Sequence, residues 1–166
     1  IRNKNTEAGK FDDLLYCCYA GLEMNWHLCT FPCTTDPGRY YLENPMNVKG
    51  TATLLPDQYR DVYKLGLHAG KQKAFRQIKP MKYIKDVNKD TKLDFDSQNI
   101  FECIAYTNLH YASDNTILRY IGKWSAGCQV FSKESDFNQL MNLAYKAKDL
   151  YGNSFTYTLI ESKDVV

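Results

Sequence analysis

The chain lacks any run of apolar residues near the eighteen or so that a membrane-crossing helix needs, and it lacks the charged, apolar, small-residue leader of a secreted precursor. No membrane span is expected. Because the sequence opens on Ile1 rather than Met, the missing leader says little about location. Charge of one sign is missing too: 21 Lys and Arg stand against 19 Asp and Glu, a net +2 scattered along the chain. That balance gives no electrostatic footprint for nucleic acid. Six cysteines (Cys17, Cys18, Cys29, Cys33, Cys103, Cys128) are too sparse for a disulfide scaffold in a chain long enough to build its own core, so reduced thiols are expected. Histidine is scarce, with only His27, His68 and His110. Any imidazole base must be one of these three. Linkers, internal repeats and low-complexity tracts are absent, and 166 residues fit one domain.

What is present is strand chemistry. Thirteen Tyr and eight Phe suit half-buried sheet positions. Residues 1–10 are polar and read as a loose N-terminal arm, leaving residues 11–166 as a single domain. Residues 11–20 read as a buried strand. Thr35-Asp36-Pro37-Gly38 is a turn that should lead into a strand over residues 39–42. Further strands are expected at residues 51–55, 59–67, 75–84 with a break at Pro80, and 101–109. From Ser132 the period changes: Phe137, Leu140, Met141, Ala144, Ala147 and Tyr151 recur at three- and four-residue steps before Gly152, which predicts a helix. Residues 155–160 alternate as a closing strand. The fold class is therefore mainly β with α (α+β), with mixed sheets or a sandwich and one C-terminal amphipathic helix.

Chemistry concentrates at Ser125-Ala126-Gly127-Cys128, where a turn runs into a short apolar stretch. A cysteine at a strand entry can meet substrate, and glycine beside it frees main-chain N–H groups for a substrate oxygen. Such a nucleophile needs a base. His110 stands eighteen residues earlier at the end of a predicted strand, so a strand, a loop and a returning strand would set the two side by side. His68 is the alternative base. His27, Cys29 and Cys33 do not have the spacing of the usual paired zinc ligands, and buried thiols or a local disulfide are the better reading.

These residues resemble a family. His110 followed by Ser125-Ala126-Gly127-Cys128 is similar to the His...Ser-x-Gly-Cys signature of the L,D-transpeptidase catalytic domain, the YkuD type. The order, His before Cys, is also that family's and the reverse of papain-like peptidases. Thr35-Asp36-Pro37-Gly38-Arg39-Tyr40 is similar to the family's Thr-Pro-x-Gly-x-aromatic strand entry. The chain departs from the pattern at Tyr111, where Gly is usual, at Ala126, where a second His is usual, and at Val130, where an Arg helps hold the substrate carboxylate. The resemblance implies a single-domain L,D-transpeptidase-like fold and acyl transfer on peptidoglycan stem peptides, in a divergent, phage-associated relative that cuts the cell wall. It implies Cys128 as nucleophile, His110 as base, Ser125 and Gly127 as parts of the catalytic loop, and no cofactor or metal. Tyr111, Trp124 and Gln129 are the neighbouring candidates for substrate contact. The alternative is a cell-wall or virion binding module that keeps the fold without turnover.

One stretch stands outside this reading. Asp86, Asn88, Asp90 and Asp94 place oxygen ligands at positions one, three, five and nine of a calcium-type loop, but Thr91 and Ser97 stand where Gly and Glu belong. A solvated acidic turn is the favoured reading.

Overall fold

Alternation builds most of this molecule, and it is plainest in β1 (Asp13–Ala20), where more and less buried residues take turns along the strand. The computed structural model describes residues 1–3, 8–21, 23, 25–95, 100–113 and 118–165. After β1 come β2 (Trp26–Thr34), α1 (Arg39–Glu43), β3 (Thr51–Leu54), β4 (Asp57–His68), β5 (Gln72–Gln77) and β6 (Met81–Asp86). The chain continues through β7 (Ile100–Cys103), β8 (Leu109–Tyr111), β9 (Gln129–Phe131), α2 (Glu134–Tyr151) and β10 (Phe155–Leu159). The architecture is mainly β with one long C-terminal helix, as expected.

Seven strands form one sheet in the order β1-β2-β9-β8-β5-β4-β10, and β3-β6-β7 form a second. Neighbours in the large sheet run antiparallel except β8 and β9, which are parallel. Helix α2 turns Phe137, Leu140, Met141 and Ala144 onto Phe31, Tyr63, Phe75, Leu109 and Phe131 of the large sheet, and Leu54, Met81 and Tyr83 join from the small one. Each fully buried side chain of this size contributes about 1.5–3 kcal/mol, so this shared core holds the two sheets together. Among the described residues, no helix is long and apolar enough to cross a membrane.

The N-terminal segment is not loose where it is described. Ile1 exchanges main-chain hydrogen bonds with Leu14, while Arg2 bonds Ile160 and Ser162, so the segment straps β1 to the chain beyond β10. The Arg2 guanidinium is buried, donating to Thr35 Oγ1 at 2.9 Å, Leu54 O at 2.9 Å and Thr35 O at 3.0 Å, and pairing with Asp36 at 3.0 Å. Polarity suggested solvent here, but a fully partnered arginine is compatible with burial. Residues 4–7 of the expected arm lie outside the described residues.

Two strand expectations also fail. Residues 39–43 form a helical turn, opened by the Tyr41 and Leu42 N–H groups on Gly38 O and closed by Asn44 N–H on Tyr40 O. Only Leu42 of this turn is fully buried, against Ala8 and Leu93, which a helical turn satisfies and an alternating strand does not. The expected strand over residues 101–109 is two strands, β7 and β8, parted at Tyr106, whose φ of 58° leaves extended geometry.

Candidate active site

The parallel pairing of β8 and β9 builds the site. Leu109 pairs with Gln129, His110 with Val130 and Tyr111 with Phe131. Side chains alternate along each strand, so Asn108, His110 and Cys128 share one face while Leu109, Tyr111, Gln129 and Phe131 share the other. His110 and Cys128 were expected on a strand and its antiparallel return. The two strands instead run parallel, which a connection of this length permits.

A cleft of about 690 Å³ opens on this face, and His68, His110, Gly127, Cys128 and Trp124 line it. Cys128 Sγ and a ring nitrogen of each histidine lie within 4.8 Å of one another. His68 stacks on His110 with ring centroids 4.3 Å apart.

Hydrogen bonding assigns the two rings different roles. His110 Nδ1 lies 2.9 Å from Tyr111 O, and a carbonyl only accepts, so Nδ1 carries the proton. Its Nε2 is then the basic nitrogen, and it is buried without a partner. Asn108 Oδ1 accepts the Gln77 N–H at 3.0 Å, which turns the Asn108 amide nitrogen toward His68 Nδ1 at 3.0 Å. His68 Nδ1 must therefore accept, and neutral His68 carries its proton on Nε2. His110 is the base of the pair and His68 a donor, which removes His68 as alternative base in this arrangement.

Burial holds both the His110 imidazole and the Cys128 thiol neutral. Desolvation, opposed by the Tyr111 hydrogen bond and aided by the neighbouring His68, lowers the His110 pKa to about 4. Desolvation also pushes the Cys128 thiol up to about 11, against a bond from the Asn108 main chain. Cys128 Sγ lies 3.8 Å from Tyr106 O, a weak acceptor contact for the thiol. The resting pair is a thiol beside a neutral imidazole.

The loop before Cys128 is held by Ser125, which is fully buried. Its Oγ donates to Cys128 O at 2.8 Å and accepts the Gly127 N–H at 3.1 Å. Ser125 therefore shapes the turn and touches neither the imidazole nor the cleft, contrary to its expected catalytic place. The Gly127 N–H, occupied by Ser125, is likewise withdrawn from any oxyanion. The Cys128 N–H has no hydrogen bond among the described residues and remains for that purpose. Gly127 is required by its conformation: φ is 122°, and a Cβ there would stand 2.6 Å from Ala52 O.

Of the expected substrate contacts, only Trp124 lines the cleft. Tyr111 packs its ring on Phe137 at 5.6 Å, and Gln129 is buried, accepting from Tyr157 Oη at 2.9 Å. Both are strand neighbours of site residues and so face the opposite side of the sheet. Val130, where the resembling family keeps an arginine, is fully buried. Two cations do line the cleft: Lys123 over the Tyr40 ring at 4.0 Å and Lys85 over the Phe101 ring at 4.7 Å.

Sequence reasoning missed Asn108 and Gln77. Gln77 Oε1 accepts from Thr107 N–H at 3.0 Å and from Tyr83 Oη at 3.1 Å, fixing the loop that carries Asn108. An amide at the end of a strand or in a loop carries no signal in one sequence; only its partners disclose its role. His68, His110 and Cys128 also offer the nitrogen and sulfur ligands that suit a soft cation such as zinc, although a thiolate ligand would have to form from a thiol that burial holds up. His27, Cys29 and Cys33 are strung along β2, with His27 stacked on Tyr19, and make no cluster. No family model, curated protein or solved structure matches the chain.

Proposed function

We propose that this chain is a cysteine-dependent acyl-transfer enzyme acting on peptidoglycan stem peptides, in the manner of the L,D-transpeptidases it resembles in sequence. The observation that carries the proposal is the unpartnered, tautomer-fixed Nε2 of His110 in the same cleft as the Cys128 thiol. That is the disposition a general base needs toward a neutral nucleophile. As Cys128 Sγ attacks a stem-peptide amide carbonyl, His110 Nε2 takes the thiol proton. The developing oxyanion meets the Cys128 N–H, a kind of contact worth about 3 kcal/mol in acyl-transfer sites. Collapse expels the amine, which takes the proton back from His110 and leaves a thioester on Cys128. Water attacking that thioester gives hydrolysis; an amine from a second stem gives a cross-link. Lys85 and Lys123 are the cleft cations that would receive a substrate carboxylate in place of the absent arginine.

The test is incubation with purified peptidoglycan beside the Cys128→Ala protein, followed by mass analysis of the muropeptides. Shortened stems or new cross-links that disappear in the variant support the proposal. Sedimentation with the wall at unchanged muropeptide masses would replace it with the binding-module reading. Activity abolished by a zinc-selective chelator and restored by zinc would replace it with metal chemistry.

A further inference from the structure

The acidic turn after β6 is solvated at Asn88, Asp90 and Asp94, as its composition suggests, but Asp86, the last residue of β6, is not. Asp86 is only 2% exposed, and neither of its carboxylate oxygens has a hydrogen-bond partner. Carboxylate oxygens of Asp86, Asp90 and Asp94 lie within 4.8 Å of one another. Among the described residues, no lysine or arginine forms an ion pair with any of the three. Asn88 Nδ2 donates to Asp94 Oδ2 and, at 3.3 Å, to Asp90 Oδ2, and the Lys92 N–H donates to Asp90 Oδ1 at 2.7 Å. The cluster sets two exposed carboxylates beside a buried one that has no hydrogen-bond partner. A buried polar group in that state needs a ligand.

We propose that residues 86–94 form a calcium site, with the side-chain oxygens of Asp86, Asn88, Asp90 and Asp94 as ligands. The donors are all hard oxygens, with no sulfur or imidazole to attract a transition metal. Their spacing of one, three, five and nine is that of a loop that wraps calcium, in which position seven, here Lys92, contributes a main-chain carbonyl. Magnesium demands a stricter octahedron and keeps more of its water, which suits a loop of several carboxylates less well. A half-turn of the Asn88 amide would bring Oδ1 to the centre of the cluster in exchange for the Asp90 N–H bond that Oδ1 now accepts at 3.1 Å. Asp96 and Ser97 lie outside the described residues and are not part of the proposed ligand set.

The site ties together parts of the fold that are distant in sequence. Asp86 pairs with Thr51 at the start of β3, and Gly50 leaves room for the Asp86 carbonyl, which a Cβ would meet at 2.0 Å. Leu93, near the other end of the loop, packs with Leu42 of α1 and with Ala8. Thr51 and Ala52 line the cleft that holds Cys128, so calcium would stiffen one of its walls. The site does not depend on the cysteine chemistry.

The test uses the full chain, stripped with EGTA and titrated with calcium chloride by calorimetry, with thermal unfolding in parallel. The expected result is saturable one-to-one binding and a Tm rise of roughly 5–10 °C at a hundredfold excess over Kd, reversed by EGTA. Asp90→Asn and Asp94→Asn are changes at exposed positions that leave the fold intact and should weaken calcium at least about tenfold, since ligand charge count sets affinity. Asp86→Asn should raise the Tm of the stripped protein by removing a buried charge, and at the same time abolish the calcium response. No binding heat with no Tm shift at millimolar calcium, an equal response to magnesium, or an unchanged response in Asp90→Asn would each overturn the proposal.

Discussion

The resting state of the Cys128–His110 pair can be read by alkylation. With its pKa raised to about 11, Cys128 holds roughly 300-fold less thiolate at pH 7.5 than an ordinary thiol of pKa about 8.5. A more basic thiolate is intrinsically more nucleophilic, and a Brønsted slope of about 0.45 over that interval returns about 13-fold. Iodoacetamide should therefore label Cys128 about twentyfold more slowly than an ordinary exposed thiol at that pH. Peptide mapping by mass separates the six cysteines, and exposed Cys18 serves as the internal reference. Between pH 6 and 9 the Cys128 rate should climb about tenfold per pH unit, because only the thiolate fraction changes. A flat profile across that range, with Cys128 outpacing Cys18, would mean a preformed thiolate–imidazolium pair and would refute the neutral-pair mechanism.

Other consequences follow from the same geometry. On stem peptides, His110→Gln should lower kcat by about 10²–10⁴-fold with little change in melting temperature, and Cys128→Ala should abolish turnover. His68→Ala admits water beside His110 and removes a neighbouring charge; both raise the His110 pKa from about 4, so the acid limb of the kcat/KM profile should move up toward the ordinary imidazole range. Gly127→Ala should cost about 1–3 kcal/mol by denaturant unfolding from its backbone conformation alone, with further loss from the clash at Ala52 O. Arg2→Ala leaves Asp36 buried without its cation and should cost about 3–5 kcal/mol. Burial holds Asp36 at about 7 even with Arg2 pulling it down, above its unfolded value, so the native state binds the extra proton and its stability contribution falls as pH rises from about 4 through 7. Without Arg2 that pKa rises further. The Arg2→Ala deficit should therefore be larger at pH 8 than at pH 4.5, and a deficit independent of pH would count against the ion pair.

Legibility differed from element to element for physical reasons. Helix α2 was readable because its apolar period is local, with Phe137, Leu140, Met141 and Ala144 one turn apart and Gly152 behind them. Strands β3, β4 and β10 were readable from alternation between turn residues. Residues 39–43 were not, because what makes them a helix is the distant Leu93 and Ala8 that receive Leu42. The same limit governs the site. Residue type and order singled out Cys128 and His110, since few side chains can serve as nucleophile and base. Tyr111 and Gln129 were read as substrate contacts because they adjoin those residues in sequence, while the pleat of β8 and β9 turns them to the core.

By itself, then, the amino-acid order determined the mainly β class and the terminal helix, and it singled out Cys128 and His110 as the proposed reactive pair, all of which rest on local periodicity and intrinsic side-chain chemistry. Only the tertiary structure decided which histidine is the base, because that depends on Asn108, Gln77 and the Tyr111 carbonyl, partners brought together by sheet register. It decided equally that Asp86 is buried without a partner. Burial and hydrogen-bond direction are properties of the assembled fold, and no stretch of sequence contains them.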